Sequence, residues 1–333
     1  VSVEWLRQDP VLSHLKLFGY HWDECGYEAG QEMFCEMNDR FLVTARRFLK
    51  SDEGQVEDFY YQFREQKKGV AMVHSITGHN GFTLRDLVSY DVKHNEANGE
   101  KNLDGTEYNY SWNCGAEGPS RKKEVREKRA SQERNAFLML MLGMASPRIL
   151  AGDEFGNTQK GNNNAYCQDN AITWLDWSLL EKNKELFSYV KKLIEFRKEH
   201  PLYQSRRYLT GMDSEGLGAP DVSCHGVEPW NARFSYYSRE LGVLFFGGYY
   251  GGNSLYFAFN FHWEPHVFYL PEIEKNKEWK RVFDTSNTME MAVDGKKYEL
   301  APRSIAVFEN VPVKKTAGTS GKKKIPAKGH KNA

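Results

Sequence analysis

Helical and strand patterns alternate along the first 208 residues, and this alternation leaves few folds open to the chain. Apolar residues recur at helical spacing in some segments and form short apolar runs in others. The helical segments are 3–14, 38–50, 123–146 and 178–200, and the strand-length runs are 15–20, 70–76 and 147–152. Such alternation predicts an α/β fold with parallel strands joined by crossover helices.

After about residue 209 the pattern changes to short aromatic and β-branched runs divided by Gly, Pro and Asn. Runs such as LGVLFFGG, NSLYFAFNFHW and SIAVFEN are typical of an antiparallel β-sandwich. The final segment, 312–333, contains seven lysines and no acidic residue. We therefore predict two folded domains, residues 1–208 and 209–311, followed by a disordered lysine-rich tail.

The charge balance excludes some classes of partner. Lysine plus arginine equals aspartate plus glutamate at 45 each, so no net field draws the protein to nucleic acid or to an anionic membrane. A neutral partner is expected. The 18 Tyr and 8 Trp residues offer flat faces with polar edges, which suit sugar rings and ordinary cores alike.

The five cysteines form no Cys-x-x-Cys pair and have no His at zinc-ligand spacing. This pattern predicts no disulfide framework, no metal site and no cofactor. Reduced thiols favour a cytoplasmic location, and no apolar run reaches the ~18 residues of a membrane span. The chain does not begin with Met, which leaves an upstream segment open.

Polar residues follow each strand-length run of the parallel region. In a parallel barrel the reacting groups lie at the carboxyl ends of the strands. We therefore expect these residues to form the floor of a cleft, and the alternative is that they only cap strands and helices. They are Tyr20, His21, Trp22 and Asp23 after the first run, His79, Asn80, Gly81 and Phe82 after the second, and Asp153 and Glu154 after the third.

A long polar stretch between residues 85 and 129 is too rich in Asn, Gly and Asp for regular structure. Loops of this length are usually functional or disordered. Tyr108, Tyr110 and Trp112 within it predict an ordered, packed loop. His94 and Asn95 lie in this loop, and the simplest interpretation is that they hold it together.

Three stretches resemble closely the isoamylase and bacterial glycogen debranching enzymes of the α-amylase superfamily. They are HNGFTLRDLVSYDVKHNEANGEKNLDGTEYNYSWNCGAEGP, LAGDEFGNTQKGNNNAYCQDNAITWLDW, and DPVLSHLKL together with NDRFLVTARRFLK. The likeness runs from about residue 8 to 310. It implies the C-terminal half of a (β/α)8 TIM barrel, about strands five to eight, followed by an antiparallel β-sandwich. The activity implied is hydrolysis of α-1,6 branch points in glycogen or starch-like glucans.

The chain departs from the family's catalytic plan. Retaining glycosidases need two carboxylates about 5 Å apart, and this family adds a third acid that holds the sugar ring. The family phrase K-L-I-A-E-P-W-D carries the acid/base Glu, where KLFGYHWD has Tyr20. The phrase T-A-H-D-G-F-T-L carries the sugar-holding Asp, where TGHNGFTL has Asn80. The resemblance places the nucleophile on a strand ahead of residue 1, so we expect no catalytic carboxylate in this chain.

These replacements are expected to impair glycoside hydrolysis more than sugar binding. A phenol with an ordinary pKa of ~10 is a poor general acid near neutrality, and an amide supplies no negative charge to an oxocarbenium ion. His79 and Asn80 can still hydrogen-bond to sugar hydroxyls, and Tyr20 and Trp22 offer flat faces, although Trp22 fits a core position equally well. One alternative is that a loop shift brings Asp23 or Glu24 into the vacant acid position.

The resemblance also assigns further residues to the cleft. Asp153 and Glu154 match the family's G-D-E-F-G, where they line the cleft or anchor loops and do no acid/base work. Residues of GNNNAYCQDN match the loop that shapes the sugar-donor side, and scaffolding by Asn-rich turns is an equal alternative. These loop residues are Asn163, Asn164, Tyr166 and Asp169.

Three hypotheses for function follow. The first is a catalytically silent relative that binds α-glucan or assists an active debranching partner. The second is that the chain is the C-terminal piece of an active α-1,6-glucosidase. The third is a structural or interaction protein without glucan binding. Because four strands of a barrel leave two open sheet edges, we expect an N-terminal half, in the same protein or from another chain, to complete the fold. Assembly of the half-barrel with a copy of itself is the alternative.

Overall fold

The computed structural model describes residues 3–22, 34–286 and 296–313. The lysine-rich tail from residue 314, and Asp23 and Glu24, lie outside these ranges. The helices are α1 (Val3–Gln8), α2 (Asp39–Leu49), α3 (Val56–Phe63), α4 (Leu84–Leu87), α5 (Lys123–Leu142), α6 (Ser178–Lys182), α7 (Lys184–Glu199) and α8 (Pro201–Gln204). No helix in the described part of the chain is both long and apolar enough to cross a membrane.

Eleven strands are described. They are β1 (Leu17–Gly19), β2 (Phe34–Met37), β3 (Ala71–His74), β4 (Ser146–Pro147), β5 (Val222–His225), β6 (Glu240–Phe245), β7 (Leu255–Asn260), β8 (His266–Tyr269), β9 (Lys277–Asp284), β10 (Lys297–Leu300) and β11 (Ser304–Pro312). Short 3-10 helices lie at Leu12–His14, Glu96–Asn98, Asp153–Phe155 and Gly247–Tyr249.

The first four strands form one sheet in the order β1-β2-β3-β4, and every neighbouring pair in it is parallel. Helices α2 and α3 connect β2 to β3, and α5 lies between β3 and β4. The prediction of parallel strands with crossover helices is confirmed. Because all four strands run the same way, their carboxyl ends meet at one edge of the sheet.

Strand β2 lies between residues 21 and 37, where the sequence predicted neither a strand nor a helix. The segment FCEM has only four residues and contains an acid, so it lacks the apolar run that indicates a buried strand. Glu36 is nevertheless buried within it, and the Lys67 Nζ atom lies 2.7 Å from its carboxylate. The ion pair compensates the charge that the sheet buries.

Two other predicted elements differ in extent. The run 147–152 was predicted as a buried strand, but only Ser146–Pro147 pairs with β3, and the residues that follow are half-buried and irregular. The helix predicted over 178–200 is divided at Asn183 into α6 and α7. The Asn183 side chain donates a 2.8 Å hydrogen bond to the Phe155 carbonyl, an alternative to helical pairing that amide side chains offer.

The later strands form an antiparallel five-stranded sheet in the order β5-β6-β7-β11-β9 and a two-stranded sheet of β10 with β8. A cluster of buried side chains lies between the two sheets: Leu244, Tyr256, Ala258, Ala306 and Phe308 from the larger sheet, and Phe268, Tyr298 and Leu300 from the smaller. Short antiparallel strands were predicted from residue 209 onward, and the pairing confirms them.

The opposite face of the five-stranded sheet packs against the helices of the parallel region. Phe59 of α3 lies 5.3 Å from Phe259 between ring centroids, and Phe63 lies 5.3 Å from Phe257, both edge to face. The four rings are buried within one cluster that also includes the apolar back of α5. Edge-to-face aromatic pairs add to the hydrophobic gain of burial. The two parts of the chain therefore share a single core.

Replacing one of these rings tests the shared core. Phe59→Ala removes a fully buried ring and its contacts with Phe48 and Phe259, so we expect a loss of about 3–5 kcal/mol in the free energy of unfolding. Tyr61→Ala, on the same helix but 46% exposed, is the matched control and is expected to cost under about 1 kcal/mol. Urea unfolding measures both. Equal losses for the two variants would contradict the shared core.

Candidate functional site

Three of the predicted site residues are exposed at the carboxyl edge of the parallel sheet. Tyr20 directly follows β1 and is 49% exposed. His79 and Asn80 lie in the turn after β3, and both are exposed. Their side chains make no hydrogen bond to any described residue. Since β2 separates β1 from β3, the strands that carry them are about 10 Å apart, and side chains of this length can face one ligand between them.

Trp22 has a structural contact that the sequence did not reveal. Its indole Nε1–H donates a 2.9 Å hydrogen bond to the Cys35 carbonyl of β2, and its ring lies 4.8 Å from that of Phe34. Gly19 allows this close packing, because a Cβ atom there would lie 2.7 Å from the Trp22 ring. The half-buried indole thus fixes the end of β1 against β2.

Hydrogen bonds to buried groups fix the turn that carries His79 and Asn80. The Gly81 N–H donates a 2.9 Å hydrogen bond to the Asn163 carbonyl, and Gly81 has a φ of 93°, which favours glycine. The buried guanidinium of Arg46 donates to the Ile76 carbonyl at 2.7 Å. Both ends of the turn are therefore held by buried hydrogen bonds, while His79 and Asn80 face solvent.

Asp153 and Glu154 lie in different environments. Asp153 is fully buried, and its carboxylate accepts hydrogen bonds from Thr77 Oγ1 at 2.5 Å and from the Leu84 N–H at 2.9 Å. Burial raises the pKa of Asp153 to about 7. Glu154 is half-buried and accepts a 2.9 Å hydrogen bond from the Gly152 N–H. Both carboxylates thus anchor the segment after β4, and Asp153 ties it to the loop after β3.

Asn163 lies inside the protein, between the two long loops. It is 2% exposed, and its Nδ2 donates to the Thr106 carbonyl at 2.8 Å and to Asn109 Oδ1 at 3.0 Å. Asn95 pairs with it twice: Nδ2 donates to Asn163 Oδ1 at 2.8 Å, and Oδ1 accepts from the Asn163 N–H at 2.9 Å. These contacts use both N–H donors of the Asn163 side chain and give its Oδ1 one donor, and they join the loop 90–118 to the loop 157–170.

The other residues of the second loop are more accessible. Asn164 is half-buried and donates from Nδ2 to Asp104 Oδ2 at 2.9 Å. Tyr166 is 72% exposed. Asp169 is exposed and accepts a 3.0 Å hydrogen bond from the Trp174 indole. Within this loop the structure therefore separates an interior asparagine from an exposed tyrosine and carboxylate that can contact a ligand.

A contact between His74 and Asn38, near the carboxyl edge, was not predicted from the sequence. His74, the last residue of β3, is fully buried and stacks on Phe41 at 3.9 Å. Asn38, which caps α2, donates from Nδ2 to His74 Nε2 at 3.2 Å. Burial lowers the pKa of His74 to about 3, so the ring is neutral. Both residues stand at the carboxyl end of a strand, but Asn38 gave no signal because β2 was not predicted.

Arg148 brings a positive charge to the same edge. Its guanidinium NH2 donates a 3.2 Å hydrogen bond to Ser75 Oγ, and a Cβ atom at Gly78 would lie 3.1 Å from that nitrogen. Arg148 therefore lies against the start of the turn that presents His79 and Asn80. The sequence placed Arg148 inside a predicted strand and gave no indication of this contact.

The buried acid Asp153 generates a prediction for stability. Its pKa is about 7 in the folded protein and ~3.9 in an unfolded chain. Its contribution to the free energy of unfolding is therefore fully present below about pH 4 and is lost as the pH rises through 7. Asp153→Asn removes this titration. The free energy of unfolding of the variant, relative to that of the wild type, is expected to rise by up to about 3 kcal/mol between about pH 4.5 and pH 8.

Urea unfolding at the two pH values measures the change. Asp58→Asn, which removes a half-exposed carboxylate from α3, is the matched control. An Asp153→Asn profile that runs parallel to the wild-type profile would show that Asp153 carries no such penalty.

Curated bacterial proteins are similar to this chain in sequence. The glycogen operon protein GlgX homolog of Haemophilus influenzae is 36% identical over 303 residues, which cover 85% of this chain and 43% of that protein. The homolog of Mycobacterium tuberculosis is 41% identical over 218 residues, 62% of this chain and 30% of that protein. The glycogen debranching enzyme of Klebsiella pneumoniae is 43% identical over 217 residues, 62% and 33%. The chain thus spans less than half the length of these relatives.

Solved structures share the fold. Pullulanase from Bacillus acidopullulyticus superposes with a TM-score of 0.59 at 15% identity, covering 92% of this chain and 35% of that one. Pullulanase from Paenibacillus barengoltzii, in complex with maltohexaose and α-cyclodextrin, gives a TM-score of 0.56 at 17% identity, covering 84% and 39%. No protein-family model matches the chain. The pullulanases show the fold alone, whereas the sequence similarity of 36–43% to the debranching proteins shows that this chain belongs to the isoamylase-like glycogen debranching family.

Proposed function

We propose that the chain is a catalytically silent member of this family that binds α-glucan through the carboxyl edge of its parallel sheet. The observation that carries the proposal is the identity of two exposed residues. The resemblance assigns the acid/base position to Tyr20 and the sugar-holding carboxylate position to Asn80, and neither side chain supplies the charge that glycoside hydrolysis requires.

Buried acids near this edge do not replace the missing carboxylates. Asp153 is held by Thr77 and by the Leu84 N–H. Asp86 is buried and accepts a 2.8 Å hydrogen bond from the Gln159 N–H, and Glu133 is buried with Arg85 Nε 2.9 Å from its carboxylate. Each carboxylate holds protein atoms together, so none of the three is free to protonate a leaving group or to attack a sugar.

The same edge is suited to binding. His79 and Asn80 offer donors and acceptors without a described partner, and hydroxyl-rich sugars need both. Tyr20 and Tyr166 expose aromatic faces on which a sugar ring can stack. The pullulanase whose structure contains maltohexaose has the same fold, which supports an oligosaccharide of glucose as the ligand class.

We further propose that the described strands are the C-terminal half of a (β/α)8 barrel and that the antiparallel sheets form a β-sandwich behind it. Phe18 of β1 is 62% exposed, and β1 and β4 each have one neighbour among the described strands. Such edges invite a further strand. An N-terminal half, in the same protein or from another chain, would cover them. A cytoplasmic location, with reduced cysteines, belongs to the same proposal.

A second candidate is the C-terminal piece of an active α-1,6-glucosidase. The span of the alignment favours it, because the chain matches only 30–43% of the length of its relatives. Tyr20 and Asn80 weigh against it, since a difference in length explains neither substitution. An interaction protein without glucan binding is the third candidate, and it differs from the first in its behaviour toward glycogen.

Electrophoresis through gels containing glycogen separates these candidates. We expect glycogen to retard the protein without release of reducing ends. The double variant His79→Ala/Asn80→Ala removes two hydrogen-bonding side chains, so its affinity is expected to fall about tenfold. His14→Ala, an exposed histidine outside the edge, is the matched control and should bind as the wild type does.

Each other outcome contradicts the proposal in a different way. Release of linear chains from glycogen at the rate of a known debranching enzyme, assayed in parallel, would support the second candidate. Migration unaffected by glycogen would support the third. Binding that the double variant retains in full would place the glucan site away from the carboxyl edge.

A further inference from the structure

A histidine pair and a glutamate converge on the antiparallel sheet, far along the chain from the candidate glucan site. His262 lies in the turn that joins β7 to β8, His266 is the first residue of β8, and Glu240 is the first residue of β6. One ligand atom from each of the three side chains lies within 4.8 Å of the other two. All three residues are half-buried, so the cluster is accessible from solvent.

One ring nitrogen of His266 is held by a carbonyl, as in many metal ligands. Its Nδ1 lies 3.2 Å from the Glu264 carbonyl oxygen, which can only accept, so Nδ1 carries the proton. In the neutral ring the Nε2 lone pair is then free, and it faces Glu240 Oε1 at 3.5 Å. Metal-bound histidines commonly donate their other N–H to a carbonyl in this way.

The spacing fits one ion. Two ligands held at ~2.0–2.1 Å from a tetrahedral zinc ion are about 3.4 Å apart, close to the separation of His266 Nε2 and Glu240 Oε1. Two imidazoles and one carboxylate are a ligand set that zinc takes with a water in the fourth position. The partial exposure of the cluster allows that water to enter.

The turn is positioned by buried contacts that do not depend on an ion. Asn260 is fully buried, pairs with Glu240 across β6 and β7, and donates from Nδ2 to the Glu264 carbonyl at 2.9 Å. Its Oδ1 accepts from the His262 N–H at 3.1 Å. The carbonyl that orients His266 is therefore itself held in place, which is the second layer of support that metal ligands require.

His262 has to exchange one contact on binding. Its Nδ1 accepts a 3.0 Å hydrogen bond from the Glu264 N–H, and a ring that turns toward the ion gives up this bond. The neighbouring positive charge of Arg239 is opposed by Glu53, whose carboxylate lies 3.3 Å away. The exchange lowers the affinity but leaves the ligand set complete.

We propose that Glu240, His262 and His266 form a binding site for a divalent transition metal, with zinc as the preferred ion. The ion would tie the β7–β8 turn to the start of β6, so its role is structural and independent of glucan binding. The competing explanation is an ion pair between Glu240 and a protonated His266, which needs no metal.

Calorimetric titration of the full chain with ZnCl₂ at about pH 7.5 tests the site. We expect one ion per chain, bound in the micromolar range, and an increase of a few degrees in Tm at saturating zinc. Glu240→Gln and His266→Gln keep the size of each side chain and remove a ligand, so each is expected to weaken binding at least about tenfold. His14→Gln, an exposed histidine elsewhere, should bind zinc as the wild type does.

Co²⁺ provides a readout of coordination that a purely structural role of these residues would not give. The visible absorption of tetrahedral Co²⁺ is expected for the wild type and should be lost in His266→Gln, with far-UV circular dichroism confirming that the variant is folded. The proposal fails if zinc does not bind, or if both substituted proteins bind it with wild-type affinity, because the ion would then lie elsewhere.

Discussion

The packing of α3 onto the antiparallel sheet holds the two parts of this protein together. A parallel sheet is stable only when both its faces are covered, and the helices that follow β2 and β3 have a second apolar face of their own to bury. Phe59 and Phe63 fill that need by inserting edge to face among the phenylalanines of β7. The antiparallel region is therefore part of the structural support of the candidate site, although it contributes none of the residues at the carboxyl edge.

Above this core, amide side chains join the two long loops at the edge of the sheet. The reciprocal pairing of Asn95 and Asn163 joins two loops that have almost no regular structure, and the Asn163 carbonyl holds the turn that presents His79 and Asn80. Buried polar networks of this kind are rigid when every member is satisfied. The loops can thus keep one shape at the carboxyl edge whatever residues stand at positions 20 and 80.

The sequence was most informative where one physical signal dominated. Alternation of helices and strands, and the change to short aromatic runs near residue 209, was enough to predict both kinds of sheet. Strand β2 was not predicted because its four residues include Glu36. The burial of this acid is explained by its ion pair with Lys67, thirty-one positions away. The break at Asn183 depends likewise on a carbonyl in another loop.

The candidate site was predicted in part for the same reason. Residues that follow strands directly, such as Tyr20, could be placed from the pattern, and so could the exposed turn at Asn80. The pattern could not predict whether an asparagine of the second loop faces outward or inward. Asn163 and its neighbour Asn164 lie in the same local sequence and differ only in their partners from distant segments. The proximity of Glu240 and His262 could not be predicted from the sequence either, because it depends on the register between β6 and β7.

Trp22 and Gly19 show how a single contact can restrict the divergence of a sequence. Any side chain at position 19 would displace the indole, and the Cys35 carbonyl would lose the donor that closes β1 over β2. These two positions are therefore expected to change together or not at all among related chains, whatever happens to the residue at position 20. A relative could therefore change the residue at position 20 while it retains the packing of the tryptophan on the glycine.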